Sequence, residues 1–205
     1  VTPRNGKAVE INAMWYNANM IMANLTLRIG DLLQIKKYKD LAKKCKKTFE
    51  EKFYNPETKC LYDVLGDGKI RPNQLFALSL THPIIDPDSE IAKNIITVVE
   101  KKLGDSFKRD TSYHQGITWP WLLGLYYDAL INIKDKAKEE EKEELENKIQ
   151  KFVDKTKRTF KKEINENGCI GSISELYDSA KPQLPKGAIA QAWSVAEIFR
   201  IIMEH

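Results

Sequence analysis

At 205 residues and 42% hydrophobic content, the chain is long enough to bury the core of one domain or of two small ones, and its composition is not that of a disordered segment. Its 33 basic and 29 acidic residues leave a formal charge of only +4, spread over lysine-rich helical faces rather than gathered in a block, which weighs against nucleic-acid binding. Cys45, Cys60 and Cys169 are odd in number and far apart, with no Cys-x-x-Cys pair and no His at ligand spacing; this speaks against disulfides and zinc and for a cytoplasmic setting. No window approaches the roughly 20 apolar residues of a membrane span. Val1-Thr2-Pro3-Arg4-Asn5-Gly6 is not a signal peptide, and without an initiator Met the sequence reads as a fragment or a processed chain.

From Glu10 to Ile29, Ile11, Met14, Ala18, Met22 and Leu25 recur at spacings of three and four and predict a helix with one buried stripe. Asn12, Trp15, Tyr16 and Asn19 occupy its other faces, where a surface helix would carry Lys and Glu, so that face is expected to line a pocket. Asp31 caps a second helix to about Phe53, with Leu32, Leu33, Ile35, Leu41 and Phe49 inward and Asn55-Pro56 as the stop. Cys60 to Arg71 reads as a loop or short hairpin around Gly66-Asp67-Gly68, and Pro72 opens an apolar helix, Asn73 to Leu80. After the prolines at 83 and 87 comes a helix from Ser89 to Leu103, then a loop over Gly104 to Thr118. Pro120 introduces an interior helix reaching Ile133. Lys134 to Ile164 reads as an outer, charged helix that keeps Leu145, Ile149, Phe152, Val153, Thr156 and Phe160 on one stripe. Lys186 to Met203, apolar nearly all round, is expected inside.

About seven helices, apolar inner ones alternating with charged outer ones, predict an all-α fold of stacked helical hairpins, taken as a single domain over 1–205. No G-x-G-x-x-G, P-loop, H-E-x-x-H or G-x-S-x-G motif is present, which removes the common nucleotide, metalloprotease and hydrolase-elbow chemistries. In Gly168-Cys169-Ile170-Gly171-Ser172-Ile173-Ser174-Glu175, a carboxylate sits on a short Gly/Ser-bracketed loop ahead of the last helix. That is a placement suited to general acid–base work, although a solvated loop Glu is the alternative on spacing alone.

The residues the core does not explain are Glu10, Asn12, Trp15 and Tyr16; Arg71, Asn73 and Gln74; Tyr113, His114, Gln115, Trp119 and Trp121; Glu175; and Gln191 and Trp193. Indole and phenol rings stack on pyranose faces, while amides, Arg and carboxylates bond to sugar hydroxyls. Each has a structural alternative: Trp193 as core, His114 as a loop histidine bonded to a carbonyl, Glu10 as a buried tie between helices. Glu10 as a sugar ligand or as a partner orienting Arg71 is the functional option.

Residues 1–17 (Val-Thr-Pro-Arg-Asn-Gly-Lys-Ala-Val-Glu-Ile-Asn-Ala-Met-Trp-Tyr-Asn) open a series of recognisable blocks. Arg71-Pro72-Asn73-Gln74-Leu75-Phe76-Ala77, Tyr113-His114-Gln115-Gly116-Ile117-Thr118-Trp119-Pro120-Trp121, Ile173-Ser174-Glu175 and Ala190-Gln191-Ala192-Trp193-Ser194-Val195-Ala196-Glu197 follow in order. Together they closely resemble the C-terminal catalytic domain of archaeal and bacterial glycogen debranching enzymes. The resemblance implies the C-terminal part of an (α/α)6 toroid of the glucoamylase-like type and amylo-α-1,6-glucosidase activity on glycogen or another branched α-glucan, without metal or organic cofactor. It makes Glu175 the general base, and the general acid an Asp in a Trp-Met-Asp segment just upstream of Val1. On that basis the chain alone is expected to be inactive, to need the preceding part of its polypeptide, or to self-associate through unpartnered helix faces. The resemblance departs between Asp178 and Gly187: the family tends to carry a Gly after the Asp, a His before the second Pro and an Arg at the place of Lys186, and Lys lacks the bidentate fork. The competing readings are a non-catalytic glucan-binding helical module, another α/α-toroid glucosidase and, last, an α-hairpin interaction scaffold, for which no fixed internal period is found.

Overall fold

The computed structural model describes residues 4–105, 119–178 and 183–204, the side chains of 102–105 excepted. The fold is all-α, as the periodicity predicts. Among the described residues seven helices run: α1 Val9–Arg28, α2 Leu32–Phe53, α3 Phe76–Ser79, α4 Glu90–Asp105, α5 Leu122–Lys136, α6 Glu139–Glu166 and α7 Ala192–Met203. Two short antiparallel hairpins accompany them: β1 Tyr54–Asn55 with β2 Cys60–Leu61, and β3 Leu176–Tyr177 with β4 Pro185–Lys186. The chain divides into two compact units, Val1–Val99 and Glu100–His205.

In the first unit α1 packs chiefly on α2. Gly30, at φ +74°, ends α1 in a left-handed turn: its N–H donates to Leu27 O and that of Asp31 to Thr26 O, which satisfies two terminal carbonyls. Asp31 then caps α2, its Oδ1 accepting the Gln34 N–H at 3.0 Å. Pro72 opens a 3-10 turn over Pro72–Leu75, and α3 follows as a single turn, shorter than the helix expected to Leu80.

The stripe expected to be buried on α1 is the exposed one. Ile11, Met14, Met22 and Leu25 face out, and Val9, Ala13, Asn19, Ala23 and Thr26 face in. The physical reason is size. Val and Ala let the two helix backbones approach, and the two polar residues on that face satisfy themselves locally: Asn19 Nδ2 donates to Trp15 O at 2.7 Å and Thr26 Oγ1 to Met22 O at 2.9 Å. On α2, Leu32 and Leu33 are likewise exposed, while Ile35, Ala42, Phe49 and Phe53 are buried and the last two rings stack at 4.5 Å.

In the second unit α5, α6 and α7 pack together. The charged α6 keeps its stripe, with Ile149, Val153, Thr156 and Phe160 buried and Glu163 continuing the same spacing. Tyr126 of α5 meets Phe152 of α6 edge to face at 5.0 Å. Gly124 lets α7 close on α5: a Cβ there would overlap Glu197 Oε2 and stand 2.8 Å from its Cδ. α7 differs from expectation in two ways. It begins at Ala192, because Pro185 and Lys186 pair as β4, and it buries only one face, Ser194, Ile198 and Ile201, leaving Trp193, Phe199 and Met203 exposed.

Candidate functional site

The first unit is organised around a carboxylate that sequence reasoning passed over. Asp63, 1% exposed, lies between β2 and the turn at Gly66 and receives three side chains. Arg4 donates to it through Nε at 2.7 Å and Nη2 at 3.1 Å, Arg71 through Nη1 at 2.5 Å, and Asn73 through Nδ2 at 2.9 Å. Arg4 also holds Glu10 in a two-pronged pair at 2.6 and 2.7 Å, so Glu10 reaches Arg71 only by way of Arg4 and Asp63. This pairing, Glu10 first, drives the Arg4 guanidinium still further above its ordinary range. Arg71 extends the network to Asp67 at 3.3 Å, and its Nη2 is buried with no hydrogen-bond partner among the described residues.

Backbone pairing sets this arrangement: Val9 N–H donates to Asp63 O at 3.0 Å and Leu65 N–H to Lys7 O at 3.1 Å, tying the segment after β2 to the start of α1. Gln74 serves the same framework. Its Oε1 accepts the Leu61 N–H and its Nε2 donates to Arg71 O, both at 3.1 Å. Asn12 turns its amide to Ala8 O at 2.8 Å. Tyr16 is half-buried, and that burial raises its phenol above the usual value. Trp15, 55% exposed, is the aromatic that this unit offers to solvent.

Glu175 lies in the second unit, one residue before β3. Ile173, Ser174, Leu176 and Tyr177 around it are buried while Glu175 itself is half-exposed, so the loop is anchored on both sides of the carboxylate. The hairpin register pairs Leu176 with Lys186 and Tyr177 with Pro185, and Asp178 closes it through an ion pair with Lys186 at 2.7 Å. Glu175 N–H donates to Ala188 O, and Ala188 N–H donates back to Glu175 Oε2, each at 2.9 Å. Gln191 N–H donates to Ile173 O at 2.9 Å, which joins the start of α7 to this loop.

Beneath the loop, the Tyr177 hydroxyl accepts the Ser174 N–H at 3.2 Å and donates to the buried carboxylate of Glu163; burial, reinforced by Glu163, pushes this phenol well up. Trp121 and Trp193 meet at 6.2 Å between ring centroids, tilted by 41°, with Trp193 51% exposed. Trp119 lies at the described edge before α5, and Tyr113, His114 and Gln115 lie outside the described residues. The structure thus gathers Glu10, Arg71 and Asn73 into one network in the first unit. In the second it joins Gln191 to Ile173 of the Glu175 loop through a backbone bond and pairs Trp121 with Trp193.

Among the described residues no group of three or more His, Cys, Asp or Glu is placed to hold a metal ion, and no helix is long and apolar enough to cross a membrane. None of the three cysteines forms a disulfide.

The class that fold and site define is an all-α domain with a half-exposed carboxylate on a pinned hairpin. A family model described as amylo-alpha-1,6-glucosidase matches residues 1–107 and 103–200, and the chain belongs to that family. Comparison with curated proteins finds no match.

Proposed function

We propose that this chain supplies the general base of an inverting α-1,6-glucosidase that removes single glucose stubs from glycogen or a related branched α-glucan. The observation that carries this reading is Glu175, whose Oε2 is fixed at 2.9 Å by the Ala188 N–H on a loop whose flanking residues are buried. A carboxylate so held presents its charge in one direction, as proton abstraction from a positioned water requires. Water attacks the anomeric carbon and gives a proton to Glu175. The bond from that carbon to O6 of the branch residue breaks, and O6 takes a proton from the general acid. The products are free β-glucose and the unbranched chain, so one water is consumed per bond.

The acid in this reading is the Asp that the family resemblance places upstream of the Val-Thr-Pro-Arg block, about 6.5–9.5 Å from the base in an inverting site. The indole pair Trp121–Trp193 provides an apolar platform for a pyranose ring. The helical hairpins are read as part of an α/α toroid.

The test is glucose release from a branched limit dextrin by the natural polypeptide that carries this sequence, beside its Glu175→Gln variant. Release should fall about 10²–10⁴-fold in the variant, and NMR of the first product should show the β-anomer. Undiminished release in Glu175→Gln, or an α-anomer formed first, would overturn the reading. The exposed half of the Trp121–Trp193 pair favours a second reading, a glucan-binding module. Glucan binding lost in Trp193→Ala, without any turnover by the well-folded natural polypeptide, would select it.

A further inference from the structure

Resting on the glycosidase reading, we propose that Gly187 is a positioning residue that sets the direction of the Glu175 carboxylate by leaving the space its Oε2 occupies. Extending the β3–β4 register by one pair beyond Leu176 and Lys186 sets Gly187 opposite Glu175. A Cβ built on Gly187 would overlap Glu175 Oε2 and stand 3.0 Å from its Cβ and 3.1 Å from its Cδ. The deepest overlap is with the carboxylate tip, which must turn away, and the stem Cβ at 3.0 Å leaves little slack behind it. Immediately after Gly187 comes Ala188, whose N–H holds the same Oε2 while its carbonyl accepts the Glu175 N–H. Gly187 and Ala188 together form a seat: one leaves room for the oxygen, the other binds it.

Room and backbone conformation are separable. Gly187 has φ +72°, where any L side chain is strained whatever the space around it. Gly171, earlier in the same loop, has φ +86°, but a Cβ there meets nothing within 4 Å. Replacing either with Ala imposes a similar backbone cost, and only position 187 adds a collision with Glu175. The collision can be relieved by rotating Glu175 to another staggered well, which carries the carboxylate ångströms from its seat. It can also be relieved by opening the hairpin.

The experiment compares Gly187→Ala with Gly171→Ala by two readouts. In the 15N-labelled natural polypeptide, the Ala188 amide proton should shift as pH falls and the Glu175 carboxylate is protonated, and Glu175→Gln should abolish that shift. Gly187→Ala should abolish it too, and Gly171→Ala should retain it. In the natural polypeptide, Gly187→Ala should lower kcat about 10²-fold, the cost of roughly 1 Å of misplacement, with KM within about twofold, whereas Gly171→Ala keeps kcat within about twofold of wild type.

An Ala188 amide that still titrates in Gly187→Ala, or equal losses of kcat in both variants, would overturn the proposal. The amide readout needs no turnover, so it decides the seat even if the polypeptide releases no glucose and the glycosidase reading fails. Should Gly187→Ala not fold, the pair Glu175→Gly/Gly187→Ala decides, because only glycine at 175 removes the stem as well as the carboxylate. Recovered folding in the double variant supports the collision, and equal failure refutes it.

Discussion

Asp63 is the hub of the charged network in the first unit. It is 1% exposed and is the common acceptor for Arg4, Arg71 and Asn73. A buried charge pair broken on one side is costly because the partner charge stays in a poorly solvating place, about 3–5 kcal/mol in such cases. Asp63→Asn keeps the shape and removes the charge, so it should lower unfolding free energy by about that amount, read from the urea midpoint at unchanged slope. Glu10→Gln acts at the more exposed end of the network and should cost about 1–2 kcal/mol, since only Arg4 loses a charge-assisted partner. Equal costs for the two would deny Asp63 its central place. The signal for Asp63 was present in Leu61-Tyr62-Asp63-Val64-Leu65, a lone carboxylate inside an apolar run. Glu163 was similarly visible, because it extends the spacing Ile149, Val153, Thr156, Phe160 by one step along the buried face of α6. Both lie outside the loops and aromatic clusters that carry the chemical signal of this sequence. The loop placement of Glu175 was legible from its glycine- and serine-rich setting, but its partner Ala188 was not, since pairing across a hairpin has no local sequence mark.

At the scale of the helix, α1 shows why periodicity alone names the wrong face. Two stripes on this helix satisfy helical spacing, one of large apolar residues and one of small residues with Asn19 and Thr26, and only the second permits close approach to α2. Leu25→Gln, on the open stripe, should therefore change stability by no more than about 0.5 kcal/mol. Ala13→Leu, on the closed one, should cost about 1–3 kcal/mol by overpacking. Thermal unfolding of the two variants checks the assignment, and a larger loss for Leu25→Gln would reverse it. Element existence was read well from the sequence: α2, α4, α5 and α6 fall where apolar spacing and Pro or Asp punctuation placed them. What failed was burial, on α1, on the first turn of α2 and on α7. α1, α7 and the first turn of α2 are apolar on more than one side, and tertiary packing, not local pattern, chose the side.

For the molecule as a whole, the tyrosines make alkaline pH the revealing condition. Burial raises the phenols of Tyr16 in the first unit and of Tyr126, Tyr127 and Tyr177 in the second. At Tyr126 the donated bond to Glu100 reinforces the effect, and Glu100 is itself paired with Lys148 at 2.6 Å. These groups hold their protons in the folded chain at a pH where the unfolded chain has released them. Their contribution is therefore fully present below the ordinary tyrosine value of about 10 and is lost as pH rises through it toward the raised folded values. Each such tyrosine should steepen the loss by up to about 1.4 kcal/mol per pH unit. Urea midpoints measured from pH 8 to 11.5 should fall with increasing slope above about 10, and tyrosinate absorbance should lag behind that of the unfolded chain. Lysines titrate in the same range, so the decisive comparison is with Tyr126→Phe. That variant should be less stable at neutral pH by about 1 kcal/mol, the worth of the lost hydrogen bond to Glu100, and yet show a shallower alkaline slope, so that the two curves converge as pH rises. Curves that stay parallel would mean that Tyr126 ionises in the folded chain as readily as in the unfolded one, and that the Glu100 carboxylate beside it does not hold its proton in place.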